Sequence, residues 1–160
     1  VKYCAYNGIA KAELMKEGKK RALACKIALK LIDQYEKPMR DYLANTRFRQ
    51  PCNIYHLKEN VNDILSTGNQ TGEGWFLTAE MVELIKDGVN NIVCVQPFAC
   101  LPNHIVGKSV IKKIRNIYKD ANIIAIDYDP GASHTNQINR IKLMLTVAKE
   151  NMEKKEKIEH

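Results

Sequence analysis

Residues 92–104 read I-V-C-V-Q-P-F-A-C-L-P-N-H, and this stretch decides the fold class. Ile92 to Val95 form a short, wholly apolar run rich in β-branched residues, which is typical of a buried strand. Pro97 ends the strand because proline has no N–H group for strand pairing. Cys100 follows in a loop between two prolines. The loop after the carboxyl end of a parallel strand is where ligands bind, so this loop is a candidate site.

A second run of the same type occupies residues 122–126, and helical patterns lie before, between and after the two runs. This order predicts a βαβ unit with a right-handed crossover. The predicted fold class is therefore α/β: a small parallel Rossmann-like or flavodoxin-like sheet flanked by helices, with an N-terminal helical segment. Two strands are few for a stable sheet, so an edge strand over Val1–Tyr6, or strands from outside this sequence, would complete it.

The helices are predicted from apolar periodicity and from end signals. Apolar residues recur at steps of three or four over residues 19–46, within which Pro38 predicts a kink or a split. Thr78 is the predicted N-cap of one helix, Gly88 is its predicted end, and Ser133 is the predicted N-cap of the final helix. Further helices are predicted over residues 57–66, 79–87 and 104–118.

These elements predict three regions: a helical N-terminal segment over residues 1–56, an α/β domain over 57–150, and a charged, frayed tail over 151–160. The glycine-rich segment 68–75 lacks the preceding strand of a dinucleotide fingerprint and the Gly-Lys-Ser/Thr ending of a phosphate loop. We interpret it as a turn between helices. The first residue is not methionine, and we expect the chain to be part of a longer protein.

The net charge of +7 is unevenly distributed: residues 1–50 carry +7, residues 51–100 carry −4 and residues 101–160 carry +4. The basic residues lie at helical spacing opposite apolar ones, and no aromatic residues alternate with them as single-strand binding needs. We therefore expect solvated helix surfaces and no nucleic-acid partner. No apolar stretch approaches the roughly 20 residues of a membrane span, which predicts no membrane association.

The cysteines are five in number, without a C-x-x-C pair and without a secretory context. This pattern argues against a disulfide framework and predicts a reducing cytoplasm. Cys94 lies inside the apolar strand and is interpreted as a small buried hydrophobic residue. Cys100 has three open roles: a thiolate ligand to iron, a nucleophile with His104 as its base, or a packing residue.

Polar residues follow the second strand and open the last helix. Asp127 and Asp129 end that strand at the same edge of the sheet as the loop that contains Cys100. They either bind a cation or orient a ligand, or they accept hydrogen bonds from the amides of the local turn. Asn136, Gln137 and Arg140 lie near the start of the final helix. An anionic group can dock at such a helix start, with Arg140 as its counter-charge.

Three ordered stretches carry a family resemblance. Residues 68–85 read G-N-Q-T-G-E-G-W-F-L-T-A-E-M-V-E-L-I, residues 88–104 read G-V-N-N-I-V-C-V-Q-P-F-A-C-L-P-N-H, and residues 126–144 begin I-D-Y-D-P-G-A-S. They resemble the C-terminal part of the 2-hydroxyacyl-CoA dehydratase activase-related proteins, also labelled CoA-substrate-specific enzyme activases. That part is in turn similar to the D-component of 2-hydroxyglutaryl-CoA dehydratases.

The resemblance implies an iron–sulfur electron-transfer site, an acyl-CoA substrate, an anaerobic bacterial cytoplasm and an ATP-dependent activator as partner. Cys100 falls at the position of a [4Fe–4S] ligand, and Asp127, Gln137 and Arg140 fall at the family's acidic and helix-start positions. The candidates for hydrogen bonds around such a cluster are Gln96, Asn103 and His104. The remaining cluster ligands would come from other domains of a longer chain or from a partner subunit, so this chain alone would be inactive.

Two alternatives of other classes stay open. In the first, the chain is a non-catalytic docking domain whose basic helices bind a partner subunit, and Cys100 is buried. In the second, it is a CoA- or nucleotide-binding module that uses the starts of its last two helices.

Overall fold

The computed structural model describes residues 1–97, 99–128 and 131–159. The protein is mixed α/β, 64% helical, with a small two-stranded parallel sheet flanked by helices. The chain divides into two compact units, residues 1–57 and residues 58–160. Among the described residues, no helix combines the length and the apolar character that crossing a membrane requires.

Two antiparallel helices, α1 (Lys2–Met15) and α2 (Lys19–Ala44), form most of the first unit, and α3 (Ile54–Val61) begins at its end. The edge strand considered for Val1–Tyr6 was a wrong expectation, because this segment begins α1. The two buried residues of α1 are four positions apart, which is the spacing of one helical face and not the spacing of two that a strand requires.

The contact between α1 and α2 combines a small apolar core with an ion pair. Ala5, Ile9 and Leu29 form the core. The ammonium of Lys2 donates to the carboxylates of two α2 residues, one of which is Asp33, 2.8 Å away. Burial lowers the pKa of Lys2, but hydrogen bonds and attraction from these carboxylates outweigh burial and raise it.

Helix α2 continues through Pro38, so the predicted split does not occur. Pro38 is exposed, and so is Gln34, whose carbonyl loses its usual N–H partner at this point. Water can hydrate a carbonyl on the exposed side of a helix, which keeps the cost of this proline low.

In the second unit, α4 (Trp75–Lys86) begins four residues earlier than predicted, and the assignment of Thr78 as its N-cap was wrong. Gly74 is the residue before the helix and has a positive φ of 49°. Thr78 is fully buried and donates its hydroxyl to the carbonyl of Val106. The Thr78 hydroxyl therefore makes a tertiary hydrogen bond to Val106 and does not cap the start of α4.

The end of α4 at Gly88 is confirmed. Gly88 has a φ of 84°, and its N–H donates to the Ile85 carbonyl at 2.9 Å. The N–H of Val89 donates to the Leu84 carbonyl at 2.8 Å. These two bonds are those of a Schellman motif, whose left-handed residue is usually glycine.

The sheet consists of β1 (Asn91–Pro97) and β2 (Asn122–Tyr128), which pair in parallel over their whole length. Both predicted strands are confirmed, each slightly longer than its apolar run. One face of the sheet packs on α4 and α5 (Ile111–Ile117) and forms the main core. The buried residues of this core, from these elements and the segments beside them, are Ile64, Met81, Val82, Ile85, Ile92, Cys94, Val110, Ile114, Ala121 and Ile123.

A π-helix over Asn103–Lys108 and the shorter α5 take the place of the single helix predicted over 104–118. Two contacts with other elements account for the break. The buried hydroxyl of Thr78 bonds the Val106 carbonyl from outside the helix. Gly107 brings the backbone so close to β1 that an added Cβ would lie 3.1 Å from the Cys94 sulfur. The first contact joins the π-helix to α4, and the second brings it close to the sheet.

The last helix, α6, spans His134–Glu159. Ser133 is confirmed as its N-cap, because the N–H of Asn136 donates to the Ser133 hydroxyl at 3.4 Å. The helix continues through the charged tail that the sequence predicted to fray. The tail consists largely of Glu, Lys and Met, which are good helix formers, and Lys149 and Glu153 form an i,i+4 ion pair at 4.0 Å.

Candidate functional site

A cleft of about 440 Å³ opens at the carboxyl ends of the two strands, within the second unit. The π-helix contributes His104 and Lys108, the end of β2 contributes Asp127, and the start of α6 contributes Gln137 and Arg140. Ligands of open parallel sheets bind at this end of the strands, where loops and helix starts converge. The cleft thus brings together five of the residues predicted from the sequence and adds Lys108; the five are His104, Asp127, Asn136, Gln137 and Arg140.

The outer edge of β2 explains how two of these side chains are held. The N–H of Asn122 donates to the carbonyl of Asn90, the residue before β1. The N–H and C=O groups of the odd-numbered residues of β2 therefore point away from β1. Gln137 donates to the Asp127 carbonyl at 2.8 Å, and Arg140 donates to the Ala125 carbonyl. Side chains from α6 thereby occupy carbonyls that a further strand would otherwise use.

Arg115 on α5 completes this row by donating to the Ile123 carbonyl at 2.5 Å. Three successive outward carbonyls of β2 therefore accept bonds from side chains. A guanidinium carries five N–H donors, and the structure uses one donor of Arg140 for the strand. The others can serve a ligand in the cleft that Arg140 lines.

Lys108 and Asp127 face each other across the cleft, with their nitrogen and oxygen atoms 3.7 Å apart. Their side chains are 44% and 49% exposed. An ion pair with this exposure contributes about 0–1 kcal/mol, so a ligand anion can compete with Asp127 for the lysine.

The start of α6 adds a partial positive charge to the same cleft. Ser133 and Asn136 line it, and the first N–H groups of a helix have no partner inside the helix. The cleft consequently combines a lysine, an arginine and a helix N-terminus with one acidic side chain, Asp127, among its described lining residues. This arrangement favours an anionic ligand.

Cys100 does not line the cleft. It lies in the turn after β1, next to Ala99, whose φ is 55°, and its side chain is half-buried. Its N–H donates to the Pro97 carbonyl at 3.1 Å, and its carbonyl accepts the N–H of His104 at 3.2 Å. Among the described residues, Cys100 belongs to no group of three or more Cys, His, Asp or Glu side chains that could hold a metal ion together.

Gln96 and Asn103 have structural contacts away from the cleft lining. Gln96 is fully buried and donates to the Cys94 sulfur at 3.1 Å, while its side-chain oxygen has no partner among the described residues. Asn103 donates to the Val95 carbonyl at 3.3 Å, on the outer edge of β1. Asp129, the remaining predicted site residue, lies outside the described residues.

Cys94 is buried, as the sequence predicted. Burial raises the pKa of the Cys94 thiol, and the hydrogen bond from Gln96 offsets only part of that effect. The thiol therefore stays protonated at neutral pH, and it is a poor nucleophile and a poor metal ligand.

Sequence reasoning missed Lys108, which carries much of the charge of the cleft. A lysine on a helix normally indicates a solvated surface, and only the meeting of the π-helix with the end of β2 gives it a role.

Comparison with known proteins finds no family model, no curated protein and no solved structure that matches this chain.

Proposed function

We propose that residues 58–160 bind a small phosphate-bearing ligand of the nucleotide or coenzyme A class. The observation that carries this proposal is the cleft at the strand ends, where Lys108, Arg140 and the N-terminus of α6 converge. Lys108 comes from the π-helix and the other two groups come from α6, so no single amphipathic helix accounts for the clustering. Phosphate oxygens match both the guanidinium fork and the free N–H groups of a helix start.

We propose in addition that further strands extend the two-stranded sheet into a Rossmann-like architecture. Val93 and Val95 on β1 are 41% and 51% exposed although they are β-branched and apolar. Strands of parallel sheets are normally buried on both faces. We therefore propose that the rest of a longer chain, or a partner subunit, covers this part of β1.

Isothermal titration calorimetry with pyrophosphate, ATP and coenzyme A tests the binding. The informative variant is Lys108→Gln, because its partner in the structure is a half-exposed carboxylate. Losing one charge-assisted hydrogen bond costs roughly 1.5–3 kcal/mol, so the affinity falls by about 10- to 100-fold. Lys142→Gln is the matched control: it removes the same charge from an exposed position on α6, two residues after Arg140. Equal affinities of the two variants would refute the site.

A second candidate function is the iron–sulfur role of an activase-related, dehydratase-D-like protein. The position of Cys100, half-buried in the loop after β1, favours it. A [4Fe–4S] cluster takes four thiolates, and the described residues supply one at this place, so they do not fit the cluster by themselves. Under this proposal the other ligands come from another domain or subunit.

Anaerobic reconstitution of the full-length protein with iron and sulfide tests this second candidate. Cys100→Ser is expected to change the cluster absorption and the electron paramagnetic resonance spectrum, whereas Cys4→Ser, at an exposed position on α1, leaves them unchanged. An unchanged spectrum of Cys100→Ser would exclude the ligand role.

A further inference from the structure

A second cavity, a groove of about 650 Å³, runs along the outer edge of β2 between α5 and α6. Four cationic side chains line it: Lys108, Lys112, Arg115 and Arg140. Lys108 and Arg140 also line the cleft at the strand ends. The groove and the cleft therefore adjoin at this lysine–arginine pair.

The groove differs from the cleft in its apolar surface. Ile111, Ile124 and Leu143 line it, and the side chain of Leu143 is 66% exposed. No acidic side chain occurs among its described lining residues, and the counter-charge of Lys108, Asp127, lies in the adjoining cleft. A ligand that suits this surface is anionic at its ends and apolar between them.

The bonds along β2 argue against a peptide strand as the occupant. Arg115 and Arg140 donate to outward carbonyls of β2, as does Gln137. A strand that paired with this edge would have to break all three bonds. The same bonds hold the two guanidinium groups at the floor of the groove, where their remaining donors can meet an anion.

We propose that the cleft and the groove form one extended site for a small ligand with two anionic groups joined by an apolar segment. This inference rests on the proposed function, because the first anionic group occupies the cleft. The second group meets Lys112 and Arg115, which lie on α5 just after the π-helix that carries Lys108. The apolar segment packs on Leu143 and its neighbours.

Phosphonates with one or two charged ends are the probes. Hexane-1,6-diylbisphosphonate is expected to bind at least about 10-fold more tightly than hexylphosphonate, because its second group binds at a high effective concentration. Lys112→Gln is expected to remove this difference while leaving hexylphosphonate affinity unchanged. Lys119→Gln is the matched control, since this exposed lysine follows α5 and lines neither cavity.

The outcomes separate the two proposals. If both phosphonates bind equally, or if Lys112→Gln leaves the difference intact, the extended site is refuted while cleft binding stands. If hexylphosphonate and pyrophosphate both fail to bind the unmodified protein, the proposed function fails and the extended site fails with it.

Discussion

Replacing Gly107 with alanine tests the contact that positions the cleft. A Cβ at this position would lie 3.1 Å from the Cys94 sulfur, 3.1 Å from the Gln96 side-chain nitrogen and 3.2 Å from a methyl carbon of Leu77. Cys94 and Gln96 are buried, so neither can withdraw into solvent, whereas Leu77 is half-buried. We therefore expect the π-helix, which carries Lys108, to shift by a few tenths of an ångström to admit the added methyl group.

The expected magnitude follows from two opposing effects. Alanine in place of glycine favours a helical backbone by about 1 kcal/mol, whereas overpacking of a core costs about 1–3 kcal/mol. We expect a net loss of up to about 2 kcal/mol in the free energy of unfolding. Gly131→Ala is the matched control, because an added Cβ there meets no atom within 4 Å.

Urea denaturation followed by tryptophan fluorescence measures this change. Trp75 is the only tryptophan of the sequence and is fully buried in α4, so its emission reports on the second unit. The midpoint of Gly107→Ala is expected to fall, with the slope unchanged. A midpoint at or above that of the unmodified protein would show that the close approach of the π-helix to β1 is not a constraint.

Three further predictions concern individual side chains. Thr78→Val keeps the shape but removes the hydroxyl that bonds the π-helix, and it is expected to cost about 1–2 kcal/mol in the same urea assay, whereas no loss would contradict the bond. Lys2→Met is expected to cost about 0.5–1 kcal/mol at neutral pH, because the ion pair is partly exposed. The raised pKa of Lys2 means that its stabilisation is lost as the pH rises through that pKa, so circular dichroism melts should show the two proteins converging at alkaline pH. Alkylation followed by mass spectrometry should label exposed Cys4 first and buried Cys94 last, and early labelling of Cys94 would contradict its burial and its raised pKa.

The elements that the sequence predicted well are those with a local physical cause. The runs at 92–95 and 122–126 are apolar and β-branched, and both form strands. Gly88 ends α4 because the chain needs a left-handed residue there, and Ser133 caps α6 because its hydroxyl accepts a helix N–H. Each of these causes acts within a few residues of chain.

The elements that the sequence did not predict depend on contacts between distant segments. The hydroxyl of Thr78 bonds a carbonyl 28 residues away, and no local pattern distinguishes that use from an N-cap. The break between the π-helix and α5 has the same origin. Lys108 gains its role where the π-helix meets the end of β2, and Arg115 gains its role where α5 meets the edge of β2, so periodicity could not reveal either role.

Nuclear magnetic resonance of the nitrogen-15-labelled protein with pyrophosphate tests the central claim most directly, because it locates the bound anion. We predict saturable shifts of the amide signals of Lys108 and of the first turn of α6, around Thr135 and Asn136. The basic N-terminal half of α2 is the internal comparison, since Lys19, Lys20 and Arg21 there carry positive charge but do not line the cleft at the strand ends. Shifts confined to α2, or no saturable shifts at the start of α6, would contradict an anion site at the ends of the strands.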